Sequence, residues 1–249
     1  MANGNEQTQA SLAAGLAQLG RLHAERAANP ILAGALDRLA AWQARRLRMT
    51  YTDLAAQDRY ADAITFFQTD LYGGGDFGQR DSDMTRVVPT MARMLPARVL
   101  ETIGKAIELH VLAQSLDRSL LQRLPRLDRQ FTVSEYCKAY RRMGKRSERE
   151  RQIRLTGEIG AALDVVVRKP LIGAALAMMR QPARLAGFSA LQEFLERGFA
   201  AFRKMDGAGE FLGTIDARER ALMESLFAGE TAPFPDPLEP QPTPAQVQP

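Results

Sequence analysis

Asn29-Pro-Ile-Leu-Ala-Gly-Ala-Leu-Asp-Arg-Leu-Ala-Ala-Trp-Gln-Ala-Arg-Arg-Leu47 reads as the opening of a long helix. Asparagine is a good N-cap, because its side-chain oxygen accepts from an orphan backbone N–H. Proline at the first helical position presets φ and has no donor to lose. Leu32, Leu36, Leu39 and Leu47, and beyond them Leu54, recur at helical spacing, with Gln43 as the one gap in the stripe. The same period returns after Pro96 in Leu100, Ile103, Ile107 and Val111, continued by Leu112, Leu116 and Leu120. No segment sustains the apolar/polar alternation of a half-buried strand. The one β-branched run, Val165-Val-Val167, falls at a helix end. The expected fold class is therefore all-α: a compact multi-helix bundle of about eight helices.

Further helices follow from their start and stop signals. Thr132-Val-Ser-Glu135 has the spacing of a capping box before a helix through Met143, which Gly144 can end. Ser147-Glu-Arg-Glu150 offers a second box before a helix whose apolar face is Leu155, Ile159, Ala162, Leu163 and Val166. Lys169-Pro170 opens the next element and Gln181-Pro182 is expected to close it. That element contains Leu171-Ile-Gly-Ala-Ala-Leu-Ala-Met-Met179, apolar nearly all round, and is expected as the buried centre of the bundle. A dimer interface and a membrane-surface helix are the other readings of it. A helix from Ser189 to Met205 is expected to turn Phe188, Leu191, Phe194, Leu195, Phe199 and Phe202 inward, and a last one to run from Gly209 to Phe227.

The domain organisation expected is an N-terminal helix or arm over 1–29, one all-helical domain over 30–228, and a disordered Pro-rich tail over 229–249. From Thr231 onward the chain holds seven of its thirteen prolines and few apolar residues. A length of 249 residues suffices for a sizeable core. A single cysteine, Cys137, excludes an intrachain disulfide and four-cysteine zinc sites. The polar start lacks the pattern of a secretory signal, and the longest apolar run is too short to span a bilayer, so a cytoplasmic protein with no transmembrane segment is expected.

The segment Asp70-Leu-Tyr-Gly-Gly-Gly-Asp-Phe-Gly-Gln-Arg-Asp-Ser-Asp83 breaks the helical pattern. Its glycines permit positive φ and close backbone approach. No Gly-Lys-Ser/Thr follows, so it is not a phosphate loop, and the glutamate of a calcium loop is missing. Asp70, Tyr72, Asp76, Phe77, Arg80, Asp81, Asp83 and Arg86 are candidates for a ligand or partner site. They read equally as helix caps, ion pairs of Arg80 and Arg86, and aromatic anchors.

This segment, together with Phe66-Phe67 before it and the Arg86-x-x-Pro89 after it, resembles a family of uncharacterised bacterial all-helical proteins. Phe188–Lys204 and Glu210–Phe227 are similar to the family's C-terminal part. The resemblance covers most of residues 30–228. It implies an α-helical fold and brings no activity, cofactor or catalytic residue.

The basic balance is local. Twelve Arg or Lys stand against four Asp or Glu from Arg118 to Arg154, in a chain of net charge +4, which leaves the rest mildly acidic. Arg141, Arg142, Lys145, Arg146 and Arg149 are anion-binding candidates. With Tyr136 and Tyr140 upstream, the 136–154 segment is a candidate nucleic-acid surface, or else a solvated face paired with its own glutamates. His110 lies on an apolar stripe, a core position or a weak candidate for holding a haem-like group. Lys138 and Arg141 near Cys137 can lower a thiol's pKa. No catalytic constellation and no metal-ligand spacing stands out. The expectation is a non-enzymatic binding or regulatory protein engaging a protein or anionic partner, or a second copy of itself. A helical cofactor-binding protein and a nucleic-acid binder remain the alternatives.

Overall fold

The computed structural model describes residues 2–71, 83, 86–87 and 97–238. Among them the chain is mostly helical, with no strand. The elements are α1 (Ala2–Ala28), α2 (Pro30–Thr50), α3 (Thr52–Ala55), α4 (Asp58–Phe66), a π-helical turn (Phe67–Leu71), α5 (Ala97–Leu121), α6 (Val133–Met143), α7 (Arg146–Val167), α8 (Pro170–Leu185), α9 (Ser189–Lys204) and α10 (Gly209–Ala228). The all-α fold expected from periodicity is the observed one.

Local signals set most of the boundaries. The Asn29 side chain accepts from Leu32 N–H at 3.0 Å and starts α2. The Thr132 capping box forms in both directions: Glu135 N–H donates to the Thr132 hydroxyl, and Thr132 N–H donates to the Glu135 carboxylate. The Ser147 box does not form. Gly144 takes a left-handed φ of 67° and ends α6, and the chain re-enters a helix at Arg146, so Ser147 already lies inside the first turn. Pro182 does not close α8, which runs on to Leu185 with the proline in its last turn. There Pro182 lacks the N–H that would bond to the Met178 carbonyl one turn back.

Two apolar clusters make the interior. In the first, Trp42 on α2 stacks on Tyr136 of α6, with centroids 4.4 Å apart, and meets Phe131 and Phe234. In the second, Tyr51, Tyr60, Phe66, Phe202, Met205 and Phe211 join α2, α4, α9 and α10. Phe234 lies in the Pro-rich stretch. That stretch is described through Leu238, and its ring is buried against Trp42; residues 239–249 lie outside the described set.

α1 docks on α5 through a smaller cluster of Leu12, Leu16, Leu19 and Ile107. The axes come close because position 15 is glycine: a Cβ there would stand 2.7 Å from Ile107 Cγ2. A polar clasp fixes the far end. Arg118 Nε donates to Glu25 and its Nη2 to the Leu22 carbonyl, while Gln114 meets both His110 and His23.

The surprise is α8. The helix expected at the centre lies on the outside, packed chiefly against α9 and α7. Of its sixteen residues only Ala183 is fully buried. The centre is instead crossed by α2, which buries Gln43 and Arg46 with its leucines.

Candidate functional site: the outer face of α8

α8 forms because Pro170 sits at its first turn and alanines, leucines and methionines fill its length. Its inner face is narrow. Gly173 lets the Phe199 ring approach so closely that a Cβ would be 3.1 Å from it. Gln192 on α9 donates to the Leu176 carbonyl at 2.7 Å, and Arg180 pairs with Glu196 at 2.7 Å. Gly187, at φ 75°, turns the chain into α9, and the Phe188 N–H donates back to the Ala183 carbonyl.

The outer face has no such partners. Leu171 is 77% exposed, Met178 79% and Leu185 82%, with the exposed Ala174, Ala175 and Pro182 between them. At 100° per residue these six positions fall on one stripe of the helix. Met179, 51% exposed, flanks it. Leu195 of α9, expected inside, is also exposed. Large apolar side chains scattered singly need no explanation, but a contiguous row of them on one helix is a mark of an interaction surface.

The charge carried by α8 itself has one sign. α8 contains no acidic residue. Arg180 is neutralised by Glu196 and Arg168 by Asp164. Lys169 and Arg184, at the two ends, have no carboxylate partner among the described residues.

The residues singled out in the sequence fall elsewhere. Asp70 is buried, and its carboxylate accepts two hydrogen bonds from Arg197 of α9, at 2.6 and 3.1 Å. Asp83 is fully buried and pairs with Arg86 at 2.7 Å. The Arg86 guanidinium lies 4.8 Å from the centre of the Phe188 ring. Both ends of the Gly-rich segment thus tie to α9 and the turn that precedes it. Tyr72, Asp76, Phe77, Arg80 and Asp81 lie outside the described residues.

The basic segment is largely neutralised within the chain. Lys145 pairs with Glu148, Arg146 with Glu150 and Glu224, and Arg151 with Glu108. Arg149 is buried, with its guanidinium over the Tyr140 ring and one N–H donated to Gln152. Arg141 and Arg142 are exposed. Tyr136 and Tyr140 belong to the core and offer no stacking platform to a base. Burial pushes the Cys137 thiol up to about 11, against the weaker pull of Arg141, so this cysteine is not an activated one. His110 is half-buried and its Nε2 is 3.0 Å from Gln114 Nε2.

The better enclosed of two clefts, lined by Tyr51, Phe67, Gln68, Gln152, Leu212 and Glu219, holds about 60 Å³, and a more open groove lined by Gln18, Glu108, Val111, Leu112, Ser115 and Arg151 holds about 340 Å³. Among the described residues, no group of His, Cys, Asp or Glu could hold a metal ion, and no helix is long and apolar enough to cross a membrane.

A domain whose described residues form ten helices, one of them packed on its inner side and exposed on its outer side, defines a class by architecture rather than by chemistry: an all-helical domain with a presented apolar edge. The chain belongs to the family described as Domain of unknown function (DUF8198), whose model matches residues 22–233. Most of α1 lies outside that match. No curated protein and no solved structure matches the chain.

Proposed function

We propose that this chain is a non-enzymatic binding protein whose docking surface is the outer face of α8. The observation that supports this most is the exposed row Leu171, Met178 and Leu185, placed on one stripe and rimmed by cations. Folding leaves that area wet, and association is the event that removes it from water. Methionines suit such a face, because an unbranched thioether side chain adapts to the shape it meets. The basic segment over 136–154 and His110 are weaker centres for a function. The cations of the first are mostly paired internally and its tyrosines are buried; the second sits in the clasp between α1 and α5.

The test is site-specific photo-crosslinking of the full chain in its host cell. A crosslinker at position 178 is expected to form discrete adducts. These should fall sharply when Leu185→Glu is added, and be absent from a control at the exposed Arg48. Equal yields at 178 and 48, or adducts indifferent to Leu185→Glu, would overturn the reading.

A further inference from the structure

We infer that the surface covered by α8 is an anionic lipid bilayer, on which the helix lies in the plane of the headgroups; this rests on the binding role proposed above. Three observations select this occupant. The first is shape. α8 packs against α7 and α9 on its inner side, and of its residues only Ala183 is buried, so a single helix is presented at the outside. A protein partner would have to supply the groove, whereas the headgroup boundary yields around a single helix.

The second is the division of the helix. Leu171, Ala174, Ala175, Met178, Pro182 and Leu185 are one uninterrupted uncharged stripe, long enough at 1.5 Å per residue to run about 20 Å along the surface. The exposed Met179 widens it.

The third is charge. α8 is free of carboxylates, and Lys169 and Arg184 stand at its two ends without one. Arg203, on the adjoining α9, stacks on Phe199 beside Gly173 and has no carboxylate partner among the described residues. Many exposed cations elsewhere are answered from within the chain, such as Arg126 by Asp128, Arg146 by Glu224 and Arg220 by Asp216; Lys138, Arg141 and Arg142 of α6 have no carboxylate partner among the described residues either, but α6 exposes no large apolar side chain beside them. Long basic side chains beside an apolar face can bury their stems and lift their heads to phosphate. A second copy of the chain would instead bring the same carboxylate-free helix against this one, cation rim to cation rim.

The experiment is flotation of the full chain with vesicles. One set is phosphatidylcholine with about 30 mol% phosphatidylglycerol and the other is phosphatidylcholine alone, each at about 0.1 M and about 0.5 M salt. The expected result is partition into the anionic vesicles at least about tenfold above the neutral ones, weakened by salt. The double variant Met178→Glu/Leu185→Glu changes two exposed side chains, so its helical circular dichroism and melting are expected to match the parent. It should lose about tenfold in partition. Lys169→Glu/Arg184→Glu should remove the preference for anionic lipid. Absence of flotation with anionic vesicles at low salt overturns the inference, as does equal flotation of the Met178→Glu/Leu185→Glu variant. Concentration-dependent dimers dispersed by Met178→Glu assign the face to a second copy and overturn it too. Crosslinks at position 178 to a protein, with no vesicle binding, overturn the lipid and leave the binding role standing.

Discussion

Arg46 on α2 grips Glu219 on α10, its two Nη donors lying 2.7 and 3.3 Å from the two carboxylate oxygens. Tyr51 adds its hydroxyl to the same carboxylate at 2.7 Å. Burial by itself would push the Glu219 carboxyl up; Arg46 and Tyr51 outweigh it and hold the group below the usual carboxylate range. The pair lies between the two apolar clusters and ties the central helix to the C-terminal one.

Removing one half of this pair should hurt more than removing both. Arg46→Met leaves a buried carboxylate without its cation and is expected to cost about 3–5 kcal/mol. Arg46→Met/Glu219→Met should recover much of that loss. Urea unfolding of the parent, the two single variants and the double variant measures the coupling. Costs that simply add would refute it.

Acid should weaken the α6 capping box. The Arg129 guanidinium and the Thr132 backbone hold Glu135 down at about 2, from an ordinary 4.5. A carboxyl with a depressed folded pKa contributes its full stability above the unfolded value and loses it as pH falls through the folded one. The loss is therefore expected between about pH 4.5 and pH 2, and Glu135→Gln should flatten that limb of the stability–pH curve. Because the carboxyl is partly solvated the effect is modest.

The start of the Pro-rich stretch is part of the fold. Phe234→Ala removes a ring that is 9% exposed and meets Trp42 edge-on, 5.7 Å between centroids. The expected cost is about 3 kcal/mol, with a change in Trp42 fluorescence. An unaltered urea midpoint would show that the strap is unattached.

Two glycines of α1 should respond in opposite ways to alanine. At Gly20 a Cβ meets nothing within 4 Å, so Gly20→Ala should stabilise by about 0.5–1 kcal/mol through helix propensity. At Gly15 it meets the β-branched Ile107, whose stiff χ1 cannot move it aside, so α1 must lift from α5. Faster amide exchange over α1 in Gly15→Ala, but not in Gly20→Ala, is the expected observation.

What was legible in the sequence follows its range. The Asn29–Pro30 start, the Thr132–Glu135 box and the Gly144 stop depend on residues within four positions of one another, and each formed as read. The Ser147 box does not form because the helix restarts two residues earlier, at Arg146, directly after the left-handed turn at Gly144. The Gly-rich segment was legible as a break, but the partner of Asp70 lies 127 positions away on α9.

Helix content, then, was determined by the chain itself, since period, caps and propensity act over a single turn. Orientation was decided only by the tertiary structure. A segment that is apolar nearly all round, such as Leu171–Met179, reads locally as a buried one, and α9 covered just one side of it. Conversely, nothing local marks Arg46 or Gln43 for the interior. Each is tolerable there because a distant helix brings the partner that burial demands, Glu219 for the arginine and Asp117 for the glutamine.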